Sequence, residues 1–99
     1  MDELAPVIVE FNTKASAIFF SHFENFKDTV QQLDRKKDDN VFQLQQAKYL
    51  QALKNQLEYL AQSLLNKHSS MRSANLLNKK IRDEIDQYLN EFKQKSRSL

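Results

Sequence analysis

Residues 50–64 decide the fold, and they read LQALKNQLEYLAQSL. Leucine recurs here at steps of three and four residues, at positions 50, 53, 57, 60 and 64. Such steps place the side chains along one side of an α-helix, because the helix turns once in about 3.6 residues. Two heptads of this kind are typical of a coiled-coil seam. We therefore predict a helix over about residues 40–67 with one continuous apolar edge.

Apolar residues with helical spacing mark two further segments, at about residues 4–35 and 73–95. The polar run KKDDN at residues 36–40 separates the first two segments, and Asn40 and Gln43 have the spacing of a capping box. Residues 68–73 form a weaker break that is rich in serine. We expect residues 96–99 to be a frayed basic tail.

The chain of 99 residues has no glycine and one proline. Glycine supplies the positive φ angles that tight hairpins and bulges need, so a multi-stranded sheet is not expected. The length allows a single domain. We predict an all-α fold, an antiparallel three-helix bundle with long helices over residues 1–99. The alternative is an extended helical hairpin in which the second and third segments are continuous, and which is an obligate dimer.

No catalytic, cofactor or metal site is predicted from the residue pattern. The absence of cysteine excludes thiolate chemistry and thiolate metal sites. The absence of glycine excludes the loops that bind phosphates and dinucleotides. His22 lies on the apolar arc of the first helix, where we interpret it as a histidine that bonds a neighbouring helix. We expect a protein that is not an enzyme and has no cofactor.

The first helix carries apolar side chains on more than one side. On a helical wheel, Phe20 lies about 140° from the centre of the apolar arc, Val9 about 120°, and Phe23 at the margin. Leu76 is a similar exception on the charged face of the third helix. These four residues are the candidate partner-binding surface. The alternative is that the first helix lies between the other two, which would bury both sides.

The apolar side chains outside the main apolar arcs favour a non-catalytic protein–protein interaction module, such as a small adaptor, a secretion-type chaperone or a regulator. The partner is another protein or a second copy in a homodimer. A second hypothesis is a nucleic-acid-associated protein that uses the third helix and the basic residues Lys93, Lys95 and Arg97. Acidic residues are interspersed with the other bases of this helix, so nucleic acid is not the main expectation.

Charged residues are unevenly distributed along the chain. Residues 1–35 contain six acids and three bases, a net charge of −3, whereas the whole chain has a net charge of +2. This asymmetry favours contacts between the first helix and oppositely charged residues elsewhere. No apolar run is long enough for a membrane span, and the acidic start does not resemble a secretory signal. Together with the lack of cysteine, these features lead us to expect a cytoplasmic protein.

Overall fold

The computed structural model describes residues 4–34, 36–68 and 74–99. In these ranges the chain forms three α-helices, α1 (Ala5–Val30), α2 (Asp39–Lys67) and α3 (Ala74–Arg97). Each helix packs against both others in a bundle that measures 53 × 18 × 16 Å. The predicted three-helix bundle is confirmed. The extended hairpin is excluded because α3 folds back onto α1 and α2.

Contacts between side chains show the direction of each helix. The start of α1 lies beside the end of α2, where Glu10 meets Lys67, and α2 runs back so that α1 and α2 are antiparallel. α3 is parallel to α1 because Phe11 packs on Tyr88 and, further along both helices, Phe23 packs on Phe92. The chain therefore runs up, down and up.

The core consists of the apolar edges predicted from the helical spacing. Leu53, Leu57 and Leu64 of the leucine seam are buried, while Leu50 and Leu60 are half-buried at its margins. Burial of each such side chain removes apolar surface from water, which stabilises the fold by about 1.5–3 kcal/mol per residue. The buried apolar residues are Leu4, Val7, Phe11, Ala15, Phe19, Phe26, Val30, Phe42, Leu53, Leu57, Ala61, Leu64, Leu77, Ile81, Ile85 and Phe92.

Phe26 joins all three helices. Its ring centroid is 5.5 Å from that of Phe42 and 5.6 Å from that of Tyr49, both on α2. The ring of Phe92 on α3 lies 5.3 Å away on the other side. Phe26 is fully buried. Such ring contacts contribute about 0.5–1.5 kcal/mol each beyond the burial of area, so this end of the bundle depends on all three helices together.

The first helix ends at Val30, five residues before the predicted end at residue 35, which lies outside the described residues. Beyond Val30 the carboxylates of Asp34 and Asp38 bind backbone N–H groups. The N–H of Asp34 donates to Asp38 Oδ2 at 3.1 Å, and the N–H of Lys36 donates to Asp34 Oδ1 at 3.0 Å. Side chains that capture nearby backbone groups in this way compete with helix formation.

The start of α2 also differs from the prediction. The N-cap residue is Asp38, and Asn40 is already inside the helix, so the predicted capping box is wrong. Asp38 makes no side-chain capping bond within the described part of α2, because its carboxylate accepts the N–H of Asp34 instead. Gln43 donates to the carboxylate of Asp39 at 2.9 Å, an i,i+4 contact on the helix surface.

The end of α3 is longer and better packed than predicted. The helix continues to Arg97, and Ser96, assigned to the frayed tail, is fully buried. Its hydroxyl donates to the carbonyl of Lys93 at 2.8 Å and accepts a bond from the amide of Gln46 on α2. At the other end of α3, the predicted start at residue 73 and most of the predicted break at 68–73 lie outside the described residues.

Among the described residues, no helix combines the length and the apolar character that crossing a lipid bilayer requires.

Candidate protein-interaction surfaces

Val9 and Phe20 lie on the outer face of α1. Their side chains are 63% and 65% exposed, although both stand in the interior of a regular helix. Eleven residues are close to three full turns, so the two side chains lie on one line along the helix, about 16 Å apart. Most of the surface of both side chains is uncovered, although Val9 also lines a groove of about 530 Å³ between α1 and α3, with Asp83 and Gln87.

Phe23 has a different environment from Phe20. Its ring stacks on Phe19 with the centroids 6.1 Å apart, and it meets the edge of Phe92 on α3 at 5.5 Å. It is half-buried against the core. The packing of α1 against the other two helices therefore explains why Phe23 is half-buried, but it leaves Phe20 exposed.

Leu76 is 48% exposed near the start of α3. It precedes Tyr88 by twelve residues, and Tyr88 packs beside Phe11 of the parallel helix α1. At 1.5 Å per residue, Leu76 and Phe20 are about 30 Å apart along the bundle. The four residues singled out in the sequence therefore do not form a single patch.

A groove of about 630 Å³ runs between α1 and α2 on another face of the molecule. Small side chains leave this space open, since Ala17 and Ser63 do not fill the distance between the two helices. Tyr59 stands at its edge with 79% of its side chain exposed. The groove is lined by Lys14, Ala17, Ile18, Asn55, Gln56, Tyr59, Leu60 and Ser63.

Polar contacts between α1 and α2 lie beyond both ends of this groove. At one end, Nζ of Lys67 is 3.5 Å from Oε1 of Glu10. At the other end, the hydroxyl groups of Thr29 and Tyr49 are 2.9 Å apart. Glu10 and Thr29 are separated by about 28 Å along α1. Between these two contacts, the recess itself extends over residues 14–18 of α1 and 55–63 of α2.

The Glu10 end of the groove carries a net positive charge. The carboxylate of Glu10 lies near two ammonium groups, with Lys14 Nζ at 4.0 Å from Oε2 and Lys67 Nζ at 3.5 Å from Oε1. Oε2 is itself inaccessible to solvent and has no hydrogen-bond partner among the described residues. The contact between Lys67 and Glu10 agrees with the expected attraction between the acidic first helix and the basic remainder of the chain.

The bases of the nucleic-acid hypothesis are divided between two sides of α3. Lys93 and Arg97 line a groove of about 400 Å³ against α2, together with the carboxylate of Asp39. Lys95 points toward α1, where its Nζ is 5.5 Å from the ring centre of Phe19, and it also lies 3.3 Å from Oε1 of Glu91 on α3 itself. This arrangement gives no continuous basic face, and the nucleic-acid role stays a prediction.

His22 bonds its own helix rather than a neighbouring one. Its Nδ1 is 2.9 Å from the carbonyl oxygen of Ile18, and it donates because a carbonyl oxygen only accepts. The expected bond to another helix is therefore wrong. Across residues 4–34, 36–68 and 74–99, no three His, Cys, Asp or Glu side chains are grouped in a way that suits a metal ion.

Tyr59 and the groove beside it were missed by the sequence interpretation. The wheel that identifies Phe20 also places Tyr59 about 140° from the middle of the leucine seam. The sequence of α2 therefore contained the same indication of an apolar ring away from the core.

Comparison of the chain with protein-family models, curated proteins and solved structures gave no match.

Proposed function

We propose that this protein is a non-catalytic protein–protein interaction module that binds its partner through apolar helix faces. Small adaptors, secretion-type chaperones and regulators work in this way. The observation that carries the proposal is the exposure of Phe20, which is 65% accessible while the core is closed without it. The cytoplasmic location expected from the cysteine-free composition belongs to the same proposal.

The outer face of α1 suits a helical partner. Val9 and Phe20 lie three turns apart on one line, so a helix that lies along this side of α1 can contact both side chains. Burial of one such side chain contributes about 1.5–3 kcal/mol. Both residues lie outside the fold's own core, so their apolar surface is available for binding without disturbing α2 or α3.

The test is capture of a partner from the source cells by the wild-type chain and by Phe20→Asp, with identification by mass spectrometry. Asn90→Asp introduces the same charge at an exposed position of α3 and serves as the matched control. We expect a protein that wild type and Asn90→Asp retain and that Phe20→Asp loses, because a carboxylate at the contact must be desolvated on binding.

Circular dichroism of each variant accompanies the capture. Helicity of Phe20→Asp should equal that of wild type, since the side chain projects into solvent. Equal capture by all three chains would contradict the role of Phe20, and unfolding of Phe20→Asp would show that this residue belongs to the core.

A further inference from the structure

Tyr59 and the α1/α2 groove are neighbours on one face of the bundle. The ring is 79% exposed and lines the groove together with Ala17 and Ile18. A projecting ring beside a recess is self-complementary, because two copies related by a two-fold axis each place the ring over the other's recess. We propose that a second copy of this chain covers the α1/α2 groove and forms a symmetric homodimer. The surface is separate from that of Phe20, so this inference does not rest on the function proposed above.

Tyr59 lies near the middle of the face that the dimer would cover. It lines the groove beside Ile18, which is eight residues from Glu10 and eleven from Thr29, the α1 residues that make the contacts beyond either end. A two-fold axis that passes close to the middle of the face brings the two rings close to each other. The small side chain of Ala17 leaves room for the incoming ring.

The charges at the two ends of the face are opposite in sign. At one end, within residues 4–34, 36–68 and 74–99, Lys14 and Lys67 outnumber the carboxylate of Glu10. At the other end the exposed Asp28 and the half-buried Glu24 lie on the groove side of α1, and their two carboxylates outnumber the ammonium group of Lys48, which lies three turns from Tyr59 on α2. A two-fold axis perpendicular to α1 reverses the helix direction, so the Lys14 end of one copy meets the Asp28 end of the other. This complementarity favours a second copy as the occupant.

The centre of the face offers no charge repulsion to a second copy. Apart from Lys14, the side chains that line the groove are uncharged, and those on the α2 side include Asn55, Gln56 and Ser63. Amide and hydroxyl groups both donate and accept hydrogen bonds, so identical groups can pair across a two-fold axis.

The size of the face predicts a reversible dimer. Two helices about 10 Å apart over about 28 Å present roughly 550 Å² per copy, or about 1,100 Å² in the pair. Stable complexes bury about 1,200–2,000 Å², and obligate dimers bury more than this. The monomer and the dimer should therefore exchange with concentration, and the folded monomer should persist on dilution.

Sedimentation equilibrium at increasing concentration tests the proposal. Wild type should pass from 11.7 kDa toward twice that mass at concentrations up to about 1 mM. Tyr59→Asp should raise the midpoint about tenfold or more, because it brings two carboxylates together near the axis. Phe20→Asp, equally exposed but on the other surface, should leave the midpoint unchanged. A constant mass of 11.7 kDa for wild type, or an effect of Phe20→Asp and not of Tyr59→Asp, would overturn the proposal.

Single-cysteine variants provide a measurement without added charge. The natural chain has no cysteine, so each variant contains one thiol. Tyr59→Cys should form a covalent dimer with a short bismaleimide at micromolar protein, whereas Phe20→Cys should stay monomeric. Equal yields from the two variants would reflect random collision and overturn the assignment of the face.

Charge exchange tests the predicted direction of the two copies. Lys14→Asp should weaken the dimer at low salt, and Lys14→Asp combined with Asp28→Lys should restore it. Loss of dimer in the single variant without recovery in the double variant would overturn the two-fold arrangement. A groove that binds a helix of another protein would instead give a monomer at every concentration, and that outcome also overturns the proposal. Partner capture through Phe20 is a separate measurement. The homodimer and the partner-binding role of Phe20 can therefore be contradicted independently of each other.

Discussion

Tyr88 connects α1 and α3 through a polar contact at the edge of the core. Its hydroxyl donates to Oδ1 of Asn12 at 2.9 Å. Burial raises the pKa of the Tyr88 phenol, and the carboxylates of Glu84 and Glu91 raise this pKa further by disfavouring the phenolate. The folded state therefore holds the phenolic proton more tightly than the unfolded chain does.

The pH dependence of this contact follows from that difference. Below about pH 10 both states are protonated, and the contribution of Tyr88 to stability is complete. As the pH rises above about 10, the unfolded phenol loses its proton first and the contribution declines. Tyr88→Phe should cost about 1 kcal/mol at pH 7, and the difference from wild type should shrink above about pH 10.

Urea unfolding of wild type and Tyr88→Phe at pH 7 and above pH 10 provides the measurement. Tyr59→Phe is the control, because a change at that exposed ring should stay within about 0.5 kcal/mol. A difference between wild type and Tyr88→Phe that stays constant or grows with pH would contradict the assigned direction of the shift.

The candidate surfaces were predictable only in part, and the reason differs from residue to residue. The position of Phe20 away from the core follows from its angle on α1 alone, which the sequence contains. The covering of Phe23 depends on where α3 lies around α1, and a single wheel does not contain that information. The groove beside Tyr59 arises from two small side chains on different helices, Ala17 and Ser63, whose proximity appears only after α1 and α2 pack. Whether these surfaces bind a partner stays a prediction.

At the scale of elements, the helices were predictable and their ends were not. Long periodic stretches identify helices because the burial of each apolar edge stabilises the same conformation many times over. The ends depend on single contacts, such as the hydrogen bonds that the carboxylates of Asp34 and Asp38 accept from backbone N–H groups just beyond Val30. The burial of Ser96 was missed because serine is polar, although position 96 continues the i+4 spacing of Phe92.

The last turn of α3 gives a prediction that distinguishes a packed end from a frayed one. A chain that stops after residue 95 loses Ser96 and leaves the amide of Gln46 without this acceptor. A loss of about 1 kcal/mol lowers the melting temperature by about 4–8 °C in a domain of this size. Thermal unfolding by circular dichroism measures the effect, and full-length Ser96→Ala separates the hydroxyl from the rest of the turn. A melting temperature equal to that of wild type would show that the end is frayed.

The whole molecule should fold as one cooperative unit. Phe26 contacts α2 and α3 at the same time, so removal of either helix opens the core around it. Isolated helices are marginal in water, and a pair of helices buries too little surface to compensate for the entropy of ordering. A fragment of residues 1–68 should therefore lack fixed tertiary structure.

Amide proton NMR tests this prediction, with the full chain as the reference. The fragment should give poorly dispersed resonances and rapid hydrogen exchange, whereas the full chain should protect the amides around Phe26. A dispersed spectrum with slow exchange from residues 1–68 would mean that α1 and α2 form an independent domain.

The three tyrosines make the molecule its own optical probe. The chain has no tryptophan, so tyrosine emission dominates its ultraviolet fluorescence. Tyr49 and Tyr88 are bonded to α1 and partly shielded, whereas Tyr59 stands in water at the edge of the groove. A collisional quencher in solution therefore reaches Tyr59 first. A molecule that binds over the groove shields Tyr59 and therefore reduces the quenching of tyrosine fluorescence. This measurement needs no attached dye or label.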